Sequence, residues 1–114
     1  MGTDRIDLPQ GTLDLLILRT LAVEPQHGWA ISERIQQVSR DALAVPQGSL
    51  YPALQRLLLN GWVKAEWGTS ENNRRARYYK VTRAGAAQLR SETARWLDYA
   101  GAVTRILTQA PSAS

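Results

Sequence analysis

The side chains of this 114-residue chain that could do chemistry are bases, amides and hydroxyls, because thiols are absent and imidazole occurs once. The lack of Cys excludes disulfides, thiolate metal sites and Cys nucleophiles, and a single His27 excludes any site that needs two imidazoles. The eight glycines lie apart, so neither a GxGxxG nor a P-loop sequence is present. His27 precedes Gly28 at a predicted helix start, where capping or packing is its expected role. These residues predict a binding protein that is not an enzyme and needs no metal or cofactor.

The positive charge of the chain is concentrated in one third of its length. The net charge is +4, and residues 61–90 hold seven of the fourteen Lys and Arg against two of the ten Asp and Glu. This asymmetry is expected where one edge of a domain meets a polyanion such as nucleic acid. A solvated basic face without a partner is the alternative.

Hydrophobic periodicity predicts the helices that would position these groups. Apolar residues at helical spacing predict helices at about 12–22, with Thr12 as N-cap, at 28–39 and at 48–60. The second helix is expected to turn Val38 inward with the other apolar residues of its stripe. Pro52 is expected in the first turn of the third helix, because deeper in a helix its ring clashes with the carbonyl four residues earlier. Asn60 and Gly61 predict a left-handed cap at the end of this helix.

The period then changes from 3.6 to 2. Residues 62–67 and 77–82 alternate and are rich in β-formers, which predicts a two-stranded antiparallel ribbon joined by a long polar loop at 68–76. Thr82 is expected to cap a last helix that runs from Arg83 to about Thr108.

Three helices followed by a β-ribbon have the order of a winged helix-turn-helix, whose third helix enters the major groove of DNA. The predicted fold class is therefore α+β, mainly α, with a DNA-binding domain at residues 8–82 and a C-terminal dimerisation helix at 83–108. Double-stranded DNA is the predicted partner. Packing against the ribbon is the alternative role for Tyr51. The residues expected to contact DNA come from the start of the third helix and from the ribbon: Gln47, Ser49, Tyr51, Pro52, Gln55, Lys64, Arg74, Arg75 and Arg77.

Apolar residues of the last helix recur at steps of four and three, which is the spacing of a coiled-coil seam. A helix of this length is also longer than a body of three short helices and a ribbon can cover. We therefore expect a homodimer through this helix, with a helix folded back on its own domain as the alternative. The residues expected in the seam are Leu89, Trp96, Ala100, Val103 and Leu107.

Several segments resemble the PadR family of bacterial transcriptional regulators. They are GTLDLLILRTLAVEPQHGWAI, PQGSLYPALQRL, NGWVKAEWG, NNRRARYYKVTRAG and Trp96, and the similarity runs from about Leu8 to Leu107. The resemblance implies a homodimeric winged-helix repressor that releases a two-fold operator when a small, often aromatic, effector binds. The single C-terminal helix is similar to the compact branch of the family. Leu58 departs from the pattern of the family, which usually carries Glu at this position.

The middle of the seam is the candidate effector site. A two-fold axis there would bring two Trp96 indoles together around a flat ligand, and Asp14, Leu15 and Leu18 are expected to line the same cavity. The alternative is that Trp96 only fills the dimer core. The remaining indoles are expected to pack in the core or against the ribbon: Trp29, Trp62 and Trp67.

The sequence also predicts a cytoplasmic protein without membrane contact. Its longest aliphatic run, Leu15 to Leu18, is too short to span a bilayer, and the N-terminal MGTDRID lacks the basic start of a signal peptide. A protein-interaction module that dimerises through its last helix, without a response to ligand, is the alternative function. It accounts for a dimer but not for the basic ribbon.

Overall fold

The structure, a computed structural model, describes residues 8–112, so the N-terminal MGTDRID segment lies outside the described residues. Within this range the elements are α1 (Gln10–Val23), β1 (Gln26–His27), α2 (Gly28–Val38), α3 (Gln47–Leu59), β2 (Val63–Thr69), β3 (Arg75–Val81) and α4 (Arg83–Leu107). The strands form one antiparallel sheet in the order β1-β3-β2. The predicted α+β class and winged helix-turn-helix order are confirmed. None of the described helices is long and apolar enough to cross a membrane.

Helix α1 is the central element, because it contacts α2, α3, α4 and β3. Its buried side chains lie on more than one side of the helix, as predicted, and each fully buried Leu or Ile stabilises the fold by about 2 kcal/mol. The core residues are Leu13, Ile17, Leu18 and Leu21 of α1, surrounded by Ile31, Ile35, Val45, Leu50, Ala53, Leu54, Leu57, Val63, Tyr79 and Leu89.

Two helices begin earlier than the sequence predicts. Helix α1 begins at Gln10 after Pro9, so Thr12 is not its N-cap, and α3 begins at Gln47 after Pro46. Neither cap makes a side-chain hydrogen bond, so the polar side chain that usually marks a helix start is missing. Pro52 consequently lies in the second turn of α3, not in the first. Pro52 has no backbone N–H group to donate to the carbonyl four residues earlier. Because Pro52 is exposed, water can donate to that carbonyl instead.

The end of α2 also differs from the prediction. Val38 is 67% exposed, because α2 ends there and the chain turns away through Arg40 and Asp41, which both have left-handed backbones (φ 55° and 64°). The amide of Asp41 donates to the carbonyl of Gln36 at 2.9 Å, and the Gln36 side chain donates to the Asp41 carboxylate at 3.0 Å. These bonds hold two residues in a conformation that non-glycine residues rarely adopt.

The ribbon is longer and its loop shorter than predicted. Strands β2 and β3 pair from Val63 opposite Val81 to Thr69 opposite Arg75, which leaves a loop at 70–74. Gly68 and Ala76 are poor β-formers, but they pair with each other inside the ribbon, and Gly68 gives room to the Tyr78 ring. The third strand, β1, was not predicted, because two residues carry no periodic signal.

A set of short contacts, which we call the α3–α4 junction, fixes the start of α4. Gly61 ends α3 with φ +75°, as predicted, and the Thr82 hydroxyl donates to its carbonyl at 2.6 Å. The Thr82 amide donates to the Trp62 carbonyl at 3.0 Å, and the Thr82 hydroxyl caps α4 by accepting from the Gly85 amide at 3.0 Å. A Cβ at Gly85 would lie 1.9 Å from the Trp62 carbonyl oxygen, so only glycine fits there.

Beyond the junction, α4 leaves the body of the chain. Leu89, predicted to lie in a dimer seam, is buried in the core of its own chain. Further along, the large apolar side chains of α4 are exposed: Trp96, Leu97, Tyr99, Ile106 and Leu107. The Cα radius of gyration is 16.8 Å, whereas a compact domain of this length has about 13 Å. The folded-back alternative therefore holds for the part of α4 that runs beside α1, as far as Tyr99, and not for the rest of the helix.

We expect Gly85→Ala to lower the free energy of unfolding by about 3 kcal/mol or more, because the clash with a backbone carbonyl can be relieved only by moving α4. Gly101→Ala is the matched control on the same helix, where the nearest atom to a new Cβ is an Arg105 nitrogen at 3.5 Å. It should be neutral or stabilise by about 0.5–1 kcal/mol. Urea unfolding at equal protein concentration measures both, and a Gly85→Ala midpoint equal to that of the wild type would contradict this account of the junction.

Candidate nucleic-acid interface

The first half of α3 presents polar side chains to solvent while its apolar side chains enter the core. Leu50, Ala53 and Leu54 are buried. This division of the helix follows its 3.6-residue period and leaves its N-terminal half free to enter a groove. The five predicted DNA-contacting residues of this helix are all exposed: Gln47, Ser49, Tyr51, Pro52 and Gln55.

Tyr51 packs against the start of α2. A Cβ at Gly28 would lie 2.7 Å from the Tyr51 hydroxyl oxygen, so the ring rests on the first turn of α2. His27 caps this turn by accepting from the Ala30 amide at 3.4 Å, which is the capping role expected from the sequence. The Tyr51 side chain thus joins α3 to the start of α2, while the rest of its ring remains open to solvent.

Trp29 is a surface residue that the sequence interpretation assigned to packing. It is 58% exposed and lines a concave surface with Pro46 and Gln47, next to the start of α3. The signal was present in the sequence: Trp29 stands two residues before Ile31, which places it away from the buried stripe of α2. A large aromatic side chain here extends the exposed face of α3.

The wing, formed by β2, β3 and their loop, carries Arg75 and Arg77 on one face. Trp67 pairs with Arg77 and Thr69 pairs with Arg75, and all share the sheet face of the buried Val63. The same face packs on α3, so the outer half of the wing extends the core-facing side of the sheet beyond the body.

Trp67 holds one of these arginines in place. The guanidinium carbon of Arg75 lies 4.4 Å from the centre of a Trp67 ring, and Trp67 is 61% exposed, so it is not a core residue. Stacking leaves the guanidinium N–H groups free to meet phosphate oxygens or a narrow minor groove. Among the residues described, Arg74, Arg75 and Arg77 form no ion pair.

Lys64 is not brought together with these arginines. It pairs with Lys80 on the opposite face of the sheet. The alternation of a strand places neighbouring residues on opposite faces, so Lys64 does not share the face of Arg75 and Arg77, and its contact with DNA stays a prediction.

The model of the transcriptional regulator PadR-like family matches residues 17–91. The chain belongs to the PadR-like family. It is therefore a DNA-binding transcription regulator and not an enzyme.

Solved structures of similar proteins agree with this assignment. The chain is 30% identical to a PadR-like transcription factor from Bacteroides fragilis, over 85% of this chain and 91% of that one (TM-score 0.70). It is 28% identical to a PadR family transcriptional regulator from Eggerthella lenta, over 89% and 86% (TM-score 0.74). It is 26% identical to a transcriptional regulator from Clostridium thermocellum, over 84% and 90% (TM-score 0.76).

Of the four residues predicted to line an effector cavity of this PadR-like chain, only two lie at the same hollow in the structure. Leu15 and Trp96 line one hollow of about 360 Å³ with Thr12 and Tyr99. Leu18 is 2% exposed in the core, so it does not line the hollow. The Asp14 carboxylate does not line it either, because it faces α3.

Asp14 joins α1 to α3 through a bidentate ion pair with Arg56. The Arg56 Nη2 and Nε groups donate to the two carboxylate oxygens at 2.7 and 3.2 Å. This hydrogen bonding to Asp14 raises the pKa of Arg56, whose guanidinium is charged at every working pH in any case. The pair fixes the recognition helix against the central helix.

For the wing, we expect Arg75→Ala to weaken duplex binding about tenfold, because one charged hydrogen-bonding group is lost from the sheet face that packs on α3. Lys80→Ala removes the same charge from the opposite face and should weaken binding less than about threefold. Fluorescence anisotropy with a labelled duplex at one salt concentration measures both. An equal loss of duplex affinity in the two variants would show that binding depends only on the total charge of the wing and not on the face that carries it.

For the contact of α2 with α3, we expect Gly28→Ala to destabilise the fold by about 1–2 kcal/mol by displacing the Tyr51 ring. In a Tyr51→Ala background the same change should be neutral or stabilising, since alanine favours a helix over glycine. The double-mutant cycle, measured by urea unfolding, should give a coupling of about 1 kcal/mol or more. Additive effects would contradict the contact.

Proposed function

We propose that this chain is a homodimeric repressor that holds a two-fold operator with two α3 helices and two wings. In this proposal residues 8–82 bind DNA and residues 83–108 form the dimerisation helix. The first turns of α4, through Leu89, also pack on the DNA-binding body. A small planar aromatic effector bound at the seam then releases the operator.

The observation that carries the proposal is the uncovered apolar face of α4. Seam positions Trp96 and Leu107 are 43% and 77% exposed, and Ala100 and Val103 between them are only partly buried. Apolar side chains that continue along one helix in this way mark an interaction surface. A second copy of the same helix supplies the complementary heptad seam, and a two-fold dimer matches the symmetry of a palindromic operator.

The effector part of the proposal rests on the hollow beside Trp96. Its volume of about 360 Å³ lies within the range of small-molecule sites, about 300–1,000 Å³. Leu15 and Thr12 of α1 form one wall, and Trp96 and Tyr99 of α4 form the other. A flat ligand would stack on the indole. Because the walls belong to the central helix and the dimerisation helix, a ligand there would alter how the two DNA-binding bodies are held.

For the dimer, Val103→Glu places a charge in the seam. The variant should be a monomer, as measured by analytical ultracentrifugation. Operator affinity should fall at least about a hundredfold, because one half-site no longer assists the other. Ala94→Glu adds the same charge at an exposed position off the seam and should change neither property. A Val103→Glu protein that remains dimeric, or a monomer that holds the operator as tightly as the wild type, would refute the proposed arrangement.

For the effector, 2-naphthol is a suitable probe because it is planar and uncharged at neutral pH. It should quench tryptophan fluorescence and weaken binding of the duplex from upstream of the gene for this protein in a mobility-shift titration. Trp96→Ala should keep the dimer and the operator while losing the response to 2-naphthol. A Trp96→Ala dimer that still releases the operator at the same ligand concentration would contradict this role of Trp96.

A further inference from the structure

A second concave surface lies between α1 and α2, and we call it the aliphatic groove. It has a volume of about 600 Å³ and shares no lining residue with the Trp96 hollow. Val23 at its rim is 65% exposed, close to the value for Val38 on the other wall. No aromatic ring is among the described residues that line it. Its apolar lining is Leu16, Val23, Ile35, Val38 and Leu43.

Two arginines stand on the two walls of the aliphatic groove. Arg19 lies on α1 and Arg34 on α2, and neither forms an ion pair with a described residue. The one acid of the lining, Glu24, accepts a hydrogen bond from the Gln26 side chain at 3.0 Å. The groove therefore combines an aliphatic floor with two guanidinium groups that form no ion pair within residues 8–112.

The other polar groups of the aliphatic groove bond within the protein. The Thr20 hydroxyl donates to the Leu16 carbonyl at 2.8 Å, and the Ser39 hydroxyl donates to the Gln36 carbonyl at 3.1 Å. The same Ser39 oxygen accepts from the Leu43 amide at 3.0 Å, which holds Leu43 at the groove. The two arginines are thus the groups left to recognise a polar ligand.

The wall that carries Leu43 follows a strained turn. Arg40 and Asp41, between Ser39 and Leu43, are two of the three described non-glycine residues with positive φ. Such conformations persist where the surrounding structure enforces them, and they recur at ligand-binding sites. Leu43, which follows this turn, lines the aliphatic groove.

We propose that the aliphatic groove binds a small amphipathic carboxylate with an unbranched aliphatic tail. The carboxylate would accept hydrogen bonds from Arg19 and Arg34, whose planar guanidinium groups match its two oxygens. The tail would lie on the aliphatic floor and cover Val23 and Val38. The lack of an aromatic lining favours an aliphatic tail over a flat ring, so this ligand differs in class from an effector stacked on Trp96.

Isothermal titration of the full chain with decanoate, below its micelle concentration, tests the proposal. We expect one site per chain, and about fourfold tighter binding for each methylene added from octanoate to decanoate. Decyltrimethylammonium carries the same tail with the opposite charge and should bind at least tenfold more weakly. Methyl NMR should show the largest shifts at Val23 and Val38.

Variants distinguish this site from the rest of the protein. Arg19→Gln and Arg34→Gln should each weaken decanoate binding about five- to tenfold, whereas Arg90→Gln, which removes the same charge from exposed α4, should change it less than twofold. Trp96→Ala should leave decanoate binding unchanged, so failure here and failure of the proposed effector site are separable.

Equal binding of the cationic analogue, arginine variants that bind like the wild type, or loss of binding in Trp96→Ala would overturn the proposal. Absence of any decanoate binding would also overturn it and would leave the groove as a surface for an apolar segment of another protein.

Discussion

The close approach of Gly85 to the carbonyl of Trp62 determines how the other parts of the molecule are related. It lets α4 begin directly against the residue that follows the cap of α3, and Thr82 bonds to both sides of this contact. The recognition helix, the wing and the long last helix therefore share one anchor. In the proposed dimer, the direction in which α4 leaves this anchor sets the separation of the two α3 helices, and hence the operator spacing that they match.

The central helix α1 connects the surfaces to which we assign functions. Its Asp14 carboxylate holds Arg56 of α3, its N-terminal half faces Trp96 across the hollow, and its C-terminal half forms a wall of the aliphatic groove. These surfaces lie on one rigid element with four buried aliphatic side chains. A ligand at either end of α1 would thus act on a helix that also supports the DNA-binding surface.

Local signals in the sequence predict the helices, most of their buried residues and the caps at Gly61 and Thr82, because these depend on residues close together in the chain; Val38, at the end of α2, is the exception. The helix starts after Pro9 and Pro46 were misplaced, since no capping side chain marks them. The ribbon was predicted too short because Gly68 and Ala76 have low β propensity but pair with each other. The roles of Asp14 and Leu89 depend on partners distant in sequence, and periodicity does not contain that information.

The central claim is that two copies of the chain hold their α3 helices at the spacing of adjacent major grooves. The chain has no Cys, so Gln55→Cys would carry a single spin label on exposed α3 of each copy. Dipolar electron resonance on the protein without DNA should give one narrow intermolecular distance distribution centred at about 34 Å, one turn of B-DNA. The absence of intermolecular coupling, or a distance far from one turn, would contradict the account.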